Sequence, residues 1–205
     1  MTDDTAEFDW YDARFDLYAQ AVGRIAGTWA QLEFAINQAI YQLANVEAGI
    51  GACITAQIII IGPRMRALIA LIDYRFGDSA SNDKLMKKLN HFIQKVEGLA
   101  RQRNRFVHDP VTLNKVTGIL SRVEVTADRR LVFDFQPVNL KEMDSLHKKI
   151  RATIVEFDKI FEECIAALPP WPQTQFERSP RGVRRQRSQD NDPPIPPLPP
   201  QPSRG

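Results

Sequence analysis

Residues 15–43, FDLYAQAVGRIAGTWAQLEFAINQAIYQL, place Phe15, Tyr18, Val22, Ile25, Trp29, Leu32, Ile36, Ala39 and Leu43 at alternating intervals of three and four. That spacing draws one apolar stripe along a helix, close to a heptad seam. The stretch predicts a helix from about Tyr11 to Leu43, near 50 Å long at ~1.5 Å per residue. Gly23 and Gly27 interrupt it weakly. Such a helix is longer than a lone small bundle needs, so it has length to spare for a partner subunit.

Working outward, residues from about Ile50 to Ile61 read as a second helical region whose isoleucines also suit a strand. Gly62-Pro63 breaks it, and Pro63 suits the first turn of the helix carrying Met65, Leu68, Ile69, Ile72 and Phe76. After the Gly77-Asp78-Ser79 loop, Asn82 or Asp83 can cap a long helix buried through Leu85, Leu89, Phe92, Ile93, Val96 and Leu99. It should end at Val107 or His108, because Pro110 disfavours helical geometry at Asp109.

The pattern then changes period. Ile119 to Val125 and Leu131 to Phe135 alternate around Thr126-Ala127-Asp128-Arg129, which predicts a β-hairpin. Asn139, with Glu142 three residues on, resembles a capping box before a last helix striped by Leu140, Met143, Leu146, Ile150, Ile154, Phe157, Phe161 and Ile165. The expected fold class is all-α: a four- to five-helix bundle with a small β-hairpin inserted before the last helix.

Of the 14 prolines among 205 residues, 11 lie from Pro169 onward. We therefore expect an N-terminal extension over 1–10, a helical domain over 11–168, and a disordered, proline-rich basic tail over 169–205. The tail has six arginines against three acidic residues, so it carries +3 of a chain whose net charge is +2. The body is about neutral, which excludes a broad basic surface. Nucleic acid would be handled at a local site or through the tail. Pro193 to Pro200 should favour polyproline II and offers a ligand to a proline-motif-binding partner, beside the plainer reading of a solvated extension.

Cys53 and Cys164 sit in no metal-ligand spacing, so both are expected as small buried apolar residues, with no metal site and no cofactor. The acidic start lacks a signal-like apolar stretch, and the most apolar run, Ile58 to Ile61, falls far short of the roughly 20 residues a bilayer span requires. A cytoplasmic protein without a membrane partner is expected.

The chemistry concentrates in Arg101-Gln102-Arg103-Asn104-Arg105-Phe106-Val107-His108-Asp109-Pro110. Arginine brings a permanent charge and a fork of donors suited to phosphate. Histidine both takes and gives a proton near neutral pH. Together they provide what RNA backbone cleavage needs: activation of the ribose 2′-hydroxyl and stabilisation of charge on the phosphate. On an ideal helix Arg101, Asn104, Arg105 and His108 share a face, whereas Arg103 lies well round the cylinder. For Arg103 and His108 to meet, the helix end must distort or a second chain must complete the site.

Arg103-Asn104-x-x-x-His108 matches the R-[N/D/H]-x-x-x-H signature of the HEPN superfamily, and its place at the end of a long helix in a helical bundle also resembles that family. The likeness covers about 11–168 in architecture and six residues in motif. It implies a metal-independent endoribonuclease, a homodimer whose motifs share a cleft, at work in toxin–antitoxin or defence systems with an antitoxin or regulatory protein as partner. It implies Arg103 and His108 as the catalytic pair, with Asn104 supporting them. Arg101 and Arg105 are ordinary last-turn cations whose further role would be RNA phosphate contact. One subgroup has tyrosine two positions after the histidine; Pro110 stands there, so that subgroup's AMP-transfer chemistry is not implied. Two other classes remain open: a non-catalytic HEPN-like module binding RNA or protein, and a structural helical dimerisation protein. His91 and His147 read as helix-surface residues, and Glu33 as a solvated acid that in a related fold would orient the arginine. Phe8, Trp10, Tyr11, Phe15 and Tyr18 read as packing or dimer-contact aromatics.

Overall fold

In a computed structural model of the chain the described residues are 4–77, 80–114, 116–126 and 131–170, with side chains described from residue 13 except at 80–82 and 126. The chain divides into two units, Met1–Pro169 and Pro170–Gly205, and the expected tail lies outside the described residues beyond Pro170. Helix α1 spans Asp4–Ala44, longer at its start than the 15–43 stripe requires. Asp4, Glu7 and Asp9 suit the positive end of a helix, so the stretch read as an extension continues the helix from Asp4.

Helices α2 (Ala48–Thr55), α3 (Ile61–Phe76) and α4 (Ala80–His108) follow, and α5 (Leu140–Ala167) closes the bundle. The chain is mostly helical. α1 packs on α3 and α5, α4 packs on the same two, and α2 sits against α1. The buried stripe of α1 runs through Ile25, Leu32, Ile36 and Leu43 and meets Met65, Leu68 and Ile72 of α3, Leu89 and Phe92 of α4, and Met143, Ile150 and Phe157 of α5 in one core. The Phe92 and Phe157 rings lie 5.5 Å apart between α4 and α5.

Local chemistry sets most boundaries. Glu47 caps α2 by accepting from the Gly49 and Ile50 amides, and Gly51 lets the short helix approach the Tyr41 ring, which a Cβ would strike. α2 ends at Thr55, whose hydroxyl bonds Tyr41 Oη at 2.7 Å, so the expected helix to Ile61 is interrupted. Arg64 then holds the Ile58 carbonyl at 2.6 Å, and Ile59 and Ile60 stand exposed. α4 starts at Ala80, before Asn82, and Asp83 falls in its first turn. Asn139 caps α5 by accepting from the Lys141 and Glu142 amides. In the second half of α5 the buried row is Thr153, Phe157, Ile160 and Cys164; Ile154, Phe161 and Ile165 are only partly buried. Cys53, expected inside, is exposed; Cys164 is buried, and burial, against the opposing charge of Arg75, pushes its thiol up to about 11.

Before α5 the chain forms a three-stranded antiparallel sheet where a two-stranded hairpin is predicted: β1 (Val111–Asn114), β2 (Ile119–Thr126) and β3 (Val132–Pro137), in that order. β1 begins directly after Pro110, and its four residues are too few for alternation to stand out in sequence. The register pairs Val111 with Arg122 and Leu113 with Leu120, then Glu124 with Asp134 and Val123 with Phe135. Val111 and Leu120 pack on the helical core, so their face of the sheet is the inward one. The expected turn at 127–129 lies outside the described residues. Among the described residues no helix is long and apolar enough to cross a membrane.

Candidate functional site at the end of α4

α4 stays helical through His108 and is stopped by Pro110. Pro110 has no N–H, so the Phe106 carbonyl lacks its usual partner four residues on. Tyr18 of α1 supplies one: its hydroxyl donates to that carbonyl at 2.7 Å in a buried contact. The Tyr18 phenol is raised above its ordinary value by burial first, with Arg122 opposing and Asp109 adding to the rise.

The buried Phe106 ring anchors the motif from below. The Arg122 guanidinium lies 4.8 Å above its centroid, a cation–π stack. Arg122 Nε is 3.3 Å from Asp109 Oδ2 without hydrogen-bond alignment, and Arg122 Nη2 is 3.9 Å from Glu124 Oε2. Glu124 also pairs with Arg105. Two cations and two carboxylates thus tie the last turn of α4 to β2. None of Asp109, Arg122 or Glu124 belongs to the motif-based expectation. The signal available was parity: Arg122 and Glu124 alternate in register with Leu120, so they lie on the inward row of the strand and need partners there.

Above this platform Arg103 Nη1 donates to Asn104 Oδ1 at 2.9 Å and lies 3.1 Å from His108 Nε2. The pair therefore meets within one chain and without distortion of the helix. Five residues separate the Cα atoms by about 7.5 Å of rise, a gap that the long arginine side chain spans. The guanidinium can only donate, so this contact is a hydrogen bond when His108 Nε2 carries its lone pair. His108 and Asn104 are exposed and Arg103 is half-buried, with its Nε enclosed and unpartnered. Arg101 is exposed. Arg105 is occupied by Glu124, which offsets its charge toward a phosphate.

The remaining candidates lie elsewhere. Glu33 accepts from Trp29 Nε1 at 2.9 Å and sits 3.9 Å from Arg64, an arginine other than the motif's. His91 is exposed on α4, and His147 is half-buried on α5. The side chains of Phe8, Trp10 and Tyr11 lie outside the described residues, while Phe15 and Tyr18 sit with ring centroids 6.3 Å apart. Among the described residues no group of three or more histidine, cysteine or acidic side chains is placed to hold a metal ion.

The arrangement offers a basic nitrogen beside a fixed cation on an open helix end. No family model, no curated protein and no solved structure matches the chain.

Proposed function

We propose that the protein is a metal-independent endoribonuclease of HEPN type. The observation that carries the reading is the 3.1 Å approach of Arg103 Nη1 to His108 Nε2 on an exposed helix end. When the phosphate draws the Arg103 guanidinium off His108 Nε2, the lone pair this frees takes the proton of a ribose 2′-hydroxyl, and the 2′-oxygen attacks the adjacent phosphorus. The bond from phosphorus to the 5′-oxygen breaks, and that oxygen leaves with the proton that the His108 imidazolium gives back. The products are a 2′,3′-cyclic phosphate and a 5′-hydroxyl. Arg103 stabilises the charge that builds on the phosphoryl oxygens, while Asn104 holds the Arg103 fork. Arg101, exposed on the same helix, is the further cation available to the RNA phosphates.

The wider expectations travel with this reading: a homodimer in the cytoplasm, a toxin or defence role, and restraint by an antitoxin or other regulatory protein. The test is cleavage of mixed RNA by the purified chain in the presence of a chelator. Activity that persists there and is lost in both Arg103→Ala and His108→Ala supports the reading. Cleavage that survives either substitution removes the site, and RNA binding with no cleavage by the unaltered chain leaves a non-catalytic binding module.

A further inference from the structure

One face of the sheet is turned away from the helices. Val111 and Leu120 pack on the core, so the row they share is the inward one. α4 lies on that side, with Arg105 on Glu124 and Phe106 under Arg122. The opposite row carries Val123, Val125, Phe133 and Phe135, and none of the described residues on it is charged. Val123 pairs across the strands with Phe135, and Val125 with Phe133. Such β-branched partners limit where the rings can turn. Phe133 is nevertheless 57% exposed and Phe135 60%. Two residues apart on one strand, they stand ~7 Å from each other on the same face.

We propose that this face is a stacking platform for single-stranded RNA, on which Phe133 and Phe135 each receive a base. The inference rests on the RNA substrate of the preceding reading and adds the place where its bases are held. Chemistry, charge and distance each favour RNA. Exposed aromatic rings in register on a sheet offer what unpaired bases stack on, and every base has such a π-face. The uncharged row sets no carboxylate against the phosphates that accompany the bases, and cations stand at its margins. Arg14 donates to the Gly118 carbonyl and lines the groove at Ile119, where this row begins on β2. In sequence, the segment joining β2 to β3 adds Arg129 and Arg130 against Asp128. As to distance, the Val123 amide donates to the Pro110 carbonyl at 2.8 Å, so Pro110, Val123 and Phe135 lie in one line across the sheet. At ~4.8 Å between strands, Phe135 is about 10 Å from Pro110, and His108 stands two residues before Pro110. A few nucleotides cover that span. One strand can therefore rest a base on Phe135 and a phosphate at Arg103 and His108, whereas a protein docked on the rings would gain nothing from that alignment.

The test is binding of a fluorescent single-stranded RNA of about 12 nucleotides, 2′-O-methylated so that no 2′-hydroxyl is present to be activated. The proteins are the full unaltered chain, Phe133→Leu, Phe135→Leu and Phe135→Trp. Phe34→Leu, at an exposed phenylalanine of α1, is the control. Leucine keeps the apolar bulk and removes only the ring, so the sheet is retained. We expect each sheet leucine to raise Kd about 5-fold or more, Phe135→Trp to bind at least as tightly as phenylalanine, and Phe34→Leu to change nothing. A duplex of the same sequence should not sense either ring, because its bases are stacked on one another. Equal Kd in all variants overturns the proposal. So does a loss as large in Phe34→Leu or on the duplex, and so does failure of the unaltered chain to bind the strand at low salt. A solution mass that falls in the sheet leucines while Kd holds also overturns it and gives the face to a protein contact. Cleavage of unmethylated RNA, followed in parallel, separates this inference from the nuclease reading. Cleavage with Kd indifferent to the rings removes the platform alone, and ring-dependent binding without cleavage removes the nuclease alone.

Discussion

Arg103 Nη1 and His108 Nε2 lie 3.1 Å apart on a single α-helix, so one chain presents both halves of the candidate catalytic pair. This geometry fixes the outcome of a mixing experiment. Arg103→Ala and His108→Ala chains, co-expressed so that mixed dimers form, should not recover cleavage, because no chain then holds both groups. Each single variant should lose about 100-fold or more in turnover, with unfolding free energy within about 0.5 kcal/mol of the unaltered protein. Cleavage regained on mixing would show that the pair is completed between two chains.

Tyr18→Phe removes one oxygen and leaves the Phe106 carbonyl, already deprived of a partner by Pro110, buried without a donor. The expected loss is about 1–3 kcal/mol of stability, measured by denaturant unfolding near neutral pH. A change below a few tenths of a kcal/mol would mean that water reaches the carbonyl.

The same phenol and the Cys164 thiol set the alkaline limit. Both bind their protons more tightly in the folded chain, Tyr18 above 10.0 and Cys164 at about 11 against 9.0. For groups raised in this way the stability is fully present below the unfolded pKa and is lost as pH climbs through the folded one. Unfolding free energy should therefore fall from about pH 9 upward. Tyr18→Phe should flatten the part above pH 10 and Cys164→Ala the part between pH 9 and 11. An alkaline limb of equal slope in all three proteins would assign it to other groups.

The long helices were legible because three-and-four spacing over many turns has no competing explanation; the run from Phe15 to Leu43 and the Asn139 cap are the clearest cases. β1 was not, since Val111–Asn114 is too short to declare a period. The end of the second helix was not legible either: the helical region read to Ile61 stops at Thr55, and Ile59 and Ile60 stand exposed where Arg64 holds the Ile58 carbonyl, a contact the isoleucines do not encode. At the site, residue type and helix-end position were readable, but contact between Arg103 and His108 was not. A helical wheel places Cβ atoms and says nothing of how far a guanidinium reaches. The Arg122–Glu124–Asp109 support depends on strand register, a long-range fact.

Arg75 ties three helices together from the other end of the bundle. Its buried guanidinium donates to Leu43 O, in the last turn of α1, and to Pro169 O, just past α5, each at 3.0 Å. Arg75→Met keeps most of the volume and removes both donors. Leaving two such carbonyls unsatisfied costs about 2–5 kcal/mol in all, read as a fall of roughly 5–15 °C in Tm for a domain of this size. A fall of a degree or less would show that neither carbonyl depends on this side chain.

Glu124 should act as a brake on RNA affinity, because its pairing with Arg105 offsets a cation beside the candidate site. Removing the carboxylate charge in Glu124→Gln releases that cation while keeping a hydrogen-bonding side chain in place. Arg122 remains stacked on Phe106 and faces Asp109, so the last turn of α4 keeps its support. For a non-cleaving His108→Ala background, binding of single-stranded RNA should tighten several-fold on adding Glu124→Gln. The slope of log affinity against log salt should steepen by about 0.7, the amount one further neutralised phosphate contributes on a single strand. Arg101→Ala should shift the slope by the same amount in the opposite direction, since Arg101 is already exposed. Arg105→Ala should change it less unless Glu124 is first neutralised. If Glu124→Gln leaves both affinity and salt slope unchanged, the RNA does not pass the Arg105 side of α4, and its path must run on the Arg101 side of the Arg103–His108 pair.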